Sequence, residues 1–285
     1  MNPEADTTPG NDLGRRRFVE VDVEVDVDHR LRYDGSMNRL KLLLGDVASA
    51  AFTPVAWLRP PACRVLVYHA VGSDVPGDRG RIYSLSPERF ARHVRLLVSM
   101  ASETAELTDG VRAGRGLVVT FDDGYRDTLT IAAPQLVSAG LPFTVFVTPD
   151  FVAHRAPPYL SRQELRELAA LPGVTIGAHG RTHRRLTECT DGELAAELTG
   201  ARAWLEDIVA RPVLTMSYPH GAVDTRVRDA AGAAGYITAA CSKFGAHRPG
   251  DDALMVPRTD MWADDGPRRL AAKVHGRWDW MSLRA

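Results

Sequence analysis

From Arg64 onward the chain repeats one pattern: a short apolar run, a turn, then an amphipathic stretch of helical period. The spacing predicts strands at Arg64–Tyr68, Gly116–Phe121, Phe143–Val147, Val174–Gly177, Val213–Ser217 and Tyr236–Ala240. It predicts helices at Pro87–Met100, Thr128–Ala139, Arg162–Leu171, Asp191–Val209 and Thr225–Ala234. Ser86 before Pro87, and Ser161 three residues before Glu164, are helix-start signals, the second a capping box. Gly140 and Gly235 stand at helix ends, where a left-handed residue is wanted. Strand–helix alternation over about 220 residues indicates an α/β domain with a mainly parallel sheet. An open doubly wound sheet and a barrel both satisfy it.

Composition narrows the function classes. With 45% hydrophobic and 25% charged residues, the chain of 285 is neither collagen-like nor mostly disordered. Its formal net charge of −1 gives no long-range pull toward nucleic acid. Cys63, Cys189 and Cys241 form no C-x-x-C pair, which argues against a disulfide scaffold and a thiolate zinc site and leaves packed free thiols. No uninterrupted apolar run reaches the length of a membrane span.

Residues 1–36 differ from the rest. The acidic alternation from Val19 to Asp28 has the period of an edge strand, but without aromatics it buries little, so a disordered extension is expected. Met37 is a second candidate start. Residues 37–63 read as an amphipathic helix and linker, with peripheral membrane contact through 37–60; Asp46 interrupts what would otherwise resemble a secretory signal. The expected location is cytoplasmic or membrane-peripheral, with secretion from a Met37 start as the alternative, and residues 64–285 are expected to form the catalytic domain.

The chemistry-bearing residues fall at predicted strand ends. Thr120-Phe121-Asp122-Asp123-Gly124 ends a strand in two adjacent carboxylates, one of which can bind a cation while the other takes a proton; Asp-Gly alone is also a common turn. His179-Gly180-Arg181-Thr182-His183 places two imidazoles four apart, a spacing that lets both reach one metal. Ser217-Tyr218-Pro219-His220-Gly221 is a tight loop that can aim a backbone N–H at a developing oxyanion. Tyr68-His69, Val256-Pro257-Arg258 and Lys273-Val274-His275-Gly276 are weaker signals taken singly.

Together these segments resemble the polysaccharide deacetylase family (NodB homology, carbohydrate esterase family four), over a stretch from about Arg64 to the C-terminus. The resemblance implies an irregular (β/α)7 barrel. It implies Asp123, His179 and His183 as metal ligands, Asp122 as general base, the His220 backbone N–H as oxyanion donor, and Arg258 as the residue that orients the base. It also implies a divalent ion, zinc first, with cobalt, nickel or iron as alternatives. Tyr68-His69 is similar to the early acid of the permuted poly-N-acetylglucosamine deacetylases, so His69 is preferred over His275 as the acid. Three positions depart from the family pattern: Gly180 replaces Ser or Thr, Ser217 replaces Arg or Ala, and His220 replaces an aromatic residue.

The expected activity is metal-assisted removal of an N-acetyl group from an amino sugar, giving acetate and a free amine. The rivals are a C–N hydrolase on another amide, an O-acetyl esterase, a non-catalytic carbohydrate-binding relative, and an iron oxygenase built on two histidines and a carboxylate.

Overall fold

The computed structural model describes residues 35–51, 61–100, 104–154 and 157–284, and the alternating Val19–Asp28 stretch lies outside them, as do 52–60 of the expected linker. Helix α1 spans Gly35–Ala51. Strand β1 (Cys63–Tyr68) leads into a small parallel pair, β2 (Ala70–Val71) and β3 (Ser84–Leu85). Helices α2 (Pro87–Met100) and α3 (Leu107–Ala113) precede β4 (Gly116–Phe121). Then follow α4 (Ala133–Ser138), β5 (Phe143–Val147), α5 (Pro149–His154), α6 (Arg162–Ala169), β6 (Val174–Ala178), α7 (Asp191–Val209), β7 (Thr215–Ser217), α8 (Thr225–Ala233), β8 (Thr238–Ala240), β9 (Thr259–Asp260) and α9 (Pro267–Val274).

Seven strands form one sheet in the order β8-β7-β6-β5-β4-β1-β9, and every pairing is parallel. Every residue of β1 and β5 is buried, as a parallel sheet covered on both faces requires. The edges are β8 and β9, and residues 253–258 bridge the seam between them. The Ala239 N–H donates to the Ala253 carbonyl at 2.8 Å, and the Val256 and Cys241 N–H groups donate to the Ala239 and Val256 carbonyls at 2.9 Å. The result is an irregular (β/α)7 barrel, so the barrel and not the open doubly wound sheet is the outcome.

Local structure follows the sequence signals closely. Ser161 and Glu164 form the reciprocal capping box that starts α6. Helix α2 buries Phe90, Val94 and Leu97, one face of a 3.6-residue period. Phe90 packs edge-on to Tyr68, which in turn stacks on Phe121 at 5.4 Å. The expected helix over 128–139 is split: Thr128–Ala132 is a π-type turn and only Ala133–Ser138 is α-helical. Pro134 has no N–H to give the Thr130 carbonyl, and the ladder widens before it. Strands β7 and β8 begin two residues later than expected. Val213 gives its N–H to Glu206, away from the sheet, while the Ile237 N–H to Leu214 carbonyl bond lies just ahead of the Thr215–Thr238 pair where the ladder begins.

Helix α1 lies against the C-terminal segment. Asp46 pairs with Arg269 at 2.8 and 3.0 Å, Trp280 donates to Ser49 Oγ at 3.0 Å, and Gly45 sits so close to Trp278 that a Cβ there would lie 2.6 Å from the indole. Leu43, Leu44 and Val47 of the same helix are exposed.

Candidate active site

Parallel strands all end at the same rim of the barrel, so residues that follow them converge there. His69 follows β1, Asp122 and Asp123 follow β4, His179 follows β6, and the Tyr218-Pro219-His220 turn follows β7. The adjacent carboxylates do not diverge, because the chain turns sharply after Asp122. Asp123 has φ of 72° and Gly124 82°. Asp123, His183 (φ 68°) and His220 (φ 58°) are three of the non-glycine residues in the left-handed region, a local strain of the kind that clusters at functional sites.

Asp123, His179 and His183 each offer a donor atom, all within 4.8 Å of one another. His179 Nε2 stands 3.4 Å and His183 Nε2 3.2 Å from Asp123 Oδ1. Asp123 Oδ1 is buried without a geometrically formed hydrogen bond among the described residues, as is His183 Nδ1. His179 Nδ1 is committed to Ser217, 3.0 Å from its carbonyl and 2.6 Å from its Oγ. An Nδ1–H donated to that carbonyl leaves Nε2 as a lone pair facing Asp123. Burial, against the pull of Asp122, holds His179 down at about 4, so the ring is neutral at pH 7. One carboxylate, two imidazoles and an orphaned buried oxygen fit a divalent cation.

Asp122 is the other half of the pair. Burial alone would push its carboxyl up, but the Arg258 guanidinium, helped by His179, more than offsets this and keeps it below the usual carboxylate range. Arg258 grips both oxygens, Nη1 to Oδ1 at 2.7 Å and Nη2 to Oδ2 at 2.8 Å, and its Nε donates to the Cys241 carbonyl at 3.1 Å. Ser217 Oγ donates to Asp122 Oδ1 at 3.4 Å. For Asp123, burial is again outweighed, here by His183 and by the rings of His69 and His179, so its carboxyl sits far below the usual range.

His69 is close enough to Asp122 and Asp123 for its charge to help hold both carboxyls down, and its ring lies 4.6 Å from that of Tyr83. His220 packs on His183 at 4.5 Å, and its Nε2 donates to the His183 carbonyl at 3.1 Å. Burial, with His183 beside it, keeps His220 at about 4. His275 is not part of this group: it caps the exposed C-terminal end of α9, and its charged neighbours are Arg277 and Arg64.

The order of strands, the paired carboxylates and the two histidines can now be set against known proteins. Residues 110–239 match the family model described as polysaccharide deacetylase. That stretch, just under half of the chain, is similar to a polysaccharide deacetylase domain. Over 202 residues the chain is 24% identical to the Bacillus subtilis protein YxkH, covering 67% of this chain and 69% of that protein. Among solved structures, the Streptococcus pyogenes deacetylase PplD, in complex with acetate, superposes with a TM-score of 0.68 at 17% identity, over 75% of this chain and 99% of that one. IcaB from Ammonifex degensii superposes with a TM-score of 0.64 at 21% identity, over 78% of this chain and 98% of that one. At these identities the two structures establish the shared fold.

The three departures from that family's pattern have local physical settings. Gly180 has φ of 60°, and a Cβ there would lie 3.0 Å from Pro219 and 3.1 Å from Glu197, so a larger residue fits poorly in this version of the turn. Ser217 holds the His179 ring, as above. His220 fills its space against His183.

Two residues of the site were not singled out by sequence reasoning. Glu197, buried on the inner face of α7, accepts the Arg181 and Thr182 N–H groups at 2.7 and 3.0 Å and so fixes the turn that carries both histidines. A carboxylate at a core position of an apolar helix stripe (Leu194, Leu198, Ala201, Leu205) was the signal. Asp260 ends β9 directly after Arg258-Thr259. Burial raises its carboxyl, and His69 is the leading charge that opposes this, with Lys273 next. Its strand is two residues long and carries no apolar run, which hid it from periodicity.

Proposed function

We propose that this chain is a metal-dependent deacetylase that removes the N-acetyl group of an amino sugar. The observation that carries this reading is the three-donor group of Asp123, His179 and His183 directly beside a second carboxylate, Asp122, held ionised by Arg258. Asp123, His179 and His183 would hold the cation, for which nitrogen and oxygen donors suit zinc first and cobalt, nickel or iron next. Such a cation, when bound, supplies a Lewis acid that polarises the acetyl carbonyl and eases deprotonation of water.

The remaining steps belong to the chain's own residues. Asp122 takes a proton from the attacking water as the water oxygen bonds to the carbonyl carbon. Arg258 fixes both oxygens of that base, and Ser217 fixes the His179 ring. The His220 backbone N–H donates to the developing oxyanion. Protonated His69 gives its proton to the amine nitrogen as the C–N bond breaks, and acetate and the free amino sugar leave. Asp260, whose carboxyl burial raises, has His69 as the leading charge opposing that rise, which puts the two side chains in one electrostatic environment.

An O-acetyl esterase or a hydrolase of another amide would use the same residues, and a non-catalytic relative would not need Asp122. Acetate release across N-acetylated and O-acetylated saccharides, compared with simple amides, separates these readings. We also assign catalysis to residues 64–285, and peripheral membrane contact to the 37–60 segment, where exposed Leu43, Leu44 and Val47 support it. No helix among the described residues is long and apolar enough to cross a membrane.

A further inference from the structure

Behind β1 and β9 lies a buried polar cluster that the mechanism above does not use. Lys273, fully buried in α9, donates from Nζ to Asp265 Oδ2 and to the Asp260 carbonyl, both at 2.6 Å. Its ammonium sits 3.6 Å from the centre of the Trp262 ring and 5.4 Å from that of Trp278. Asp265, also fully buried, accepts the Trp262 N–H at 2.8 Å. The Asp265 carbonyl accepts from His93 Nε2 at 2.8 Å, which leaves His93 Nδ1 to accept the Tyr68 hydroxyl at 3.2 Å.

The cluster therefore has two arms from one hub. One arm runs from Asp265 through His93 to Tyr68, the residue before His69. The other runs through Lys273 to the backbone of Asp260. The strands they hold are themselves paired, Val67 opposite Asp260. A buried lysine and aspartate carry a desolvation penalty, and replacing such a pair with apolar groups often costs nothing in stability. An apolar core would fill this space, so the charged cluster calls for another explanation.

We propose that Lys273 and Asp265 are positioning residues for the acid His69: they lock the ends of β1 and β9 so that His69 and Asp260 face each other at the amine leaving group. The inference rests on the deacetylase reading given above. Its test exploits leaving-group chemistry. An amine needs a proton to depart, whereas 4-nitrophenolate does not. The full-length variant Lys273→Met/Asp265→Asn removes both charges of the pair and leaves Arg269, 3.5 Å from Asp265 Oδ1, still paired with Asp46. It is compared with the unaltered protein on an N-acetylglucosamine oligomer and on 4-nitrophenyl acetate, with metal content and melting temperature measured alongside.

The expected result is a fall in kcat on the oligomer on the order of 10–100-fold, with KM and metal content unchanged, and a rate on the aryl ester within about threefold of the unaltered protein. Added to His69→Ala, the double change should cost little more, because the residues act as a unit. If the pair variant does not fold, His93→Gln, which cuts only the Tyr68 arm, should give the same split between substrates. A parallel loss on both substrates, no loss on either, or full additivity with His69→Ala overturns the inference while leaving the deacetylase reading intact. An unaltered protein that hydrolyses the ester but no N-acetyl sugar overturns that reading, and the inference with it.

Discussion

Arg258 binds Asp122 through two parallel charge-assisted hydrogen bonds across 136 residues of sequence, at 2.7 and 2.8 Å, with both side chains almost wholly buried. This fork–fork contact does two things at once. It fixes the direction of the carboxylate lone pairs, and it keeps a buried carboxyl ionised where burial alone would protonate it.

Removing the arginine should therefore reverse the sign of the effect on Asp122. In Arg258→Met the burial penalty is no longer opposed by its main partner, so the carboxyl titrates higher. The acid limb of the kcat/KM profile should move upward, toward neutral pH. In the unaltered protein the folded carboxyl titrates below the unfolded one, so the pair's stabilisation is present above the unfolded value and fades as pH falls through the folded one. Breaking a buried pair by removing one partner should cost about 3–5 kcal/mol. Rate profiles and denaturant melts of the variant check both; an unmoved acid limb would show that Asp122 is not the group that titrates.

The two carboxylates should separate by their metal content. Asp123→Ala, His179→Ala and His183→Ala should each lose the cation and the activity together. Asp122→Asn keeps the shape and loses the proton acceptor, so it should retain the cation while kcat falls roughly 10²–10⁴-fold. Elemental analysis beside the kinetics decides this, and metal loss in Asp122→Asn would exchange the two roles.

His69 and His275 make opposite predictions. His69 shares its surroundings with Asp122, Asp123 and Asp260, whereas the charged neighbours of exposed His275 are arginines. His69→Ala should cost much more in kcat than in metal binding, and His275→Ala should cost little. A dead His275→Ala beside an active His69→Ala would move the acid to the C-terminal segment.

Most of the barrel was legible because parallel strands buried on both faces leave continuous apolar runs, as in β4 and β5, and because α6 carries a capping box. The strands themselves pointed to the rim where Asp122, Asp123 and His179 converge. What stayed hidden has short-range signals too weak to read. Strand β9 is defined by its pairing with β1, and nothing near Asp260 in sequence announces a partner at His69. Glu197 looked like one more charge on a long helix until its two backbone acceptor bonds placed it under the histidine turn. The seam at 253–258 is held by backbone bonds, which leave no trace in side-chain period.

The cysteines should be inert in the folded state. Cys63, Cys189 and Cys241 are all buried, and burial pushes the Cys63 thiol up to about 12. A thiolate-directed reagent at pH 8 should label none of them until denaturant is added. Rapid labelling of the native protein would contradict the packing described for β1 and β8.

Removal of residues 1–36 should leave activity and melting temperature unchanged, because no candidate catalytic residue lies there. An insoluble or inactive truncation would show that the alternating Val19–Asp28 stretch belongs to the folded domain.

The central claim is metal-dependent release of acetate from an N-acetylated amino sugar. It is tested most directly by incubating the full chain with N-acetylglucosamine oligomers and measuring acetate and free amine, first as prepared, then after chelator treatment, then with zinc restored. The account predicts acetate and amine in equal amounts, loss of both on chelation, and recovery with zinc. Acetate release that persists in metal-free protein, or N-acetyl groups left intact by metal-replete protein, would contradict it.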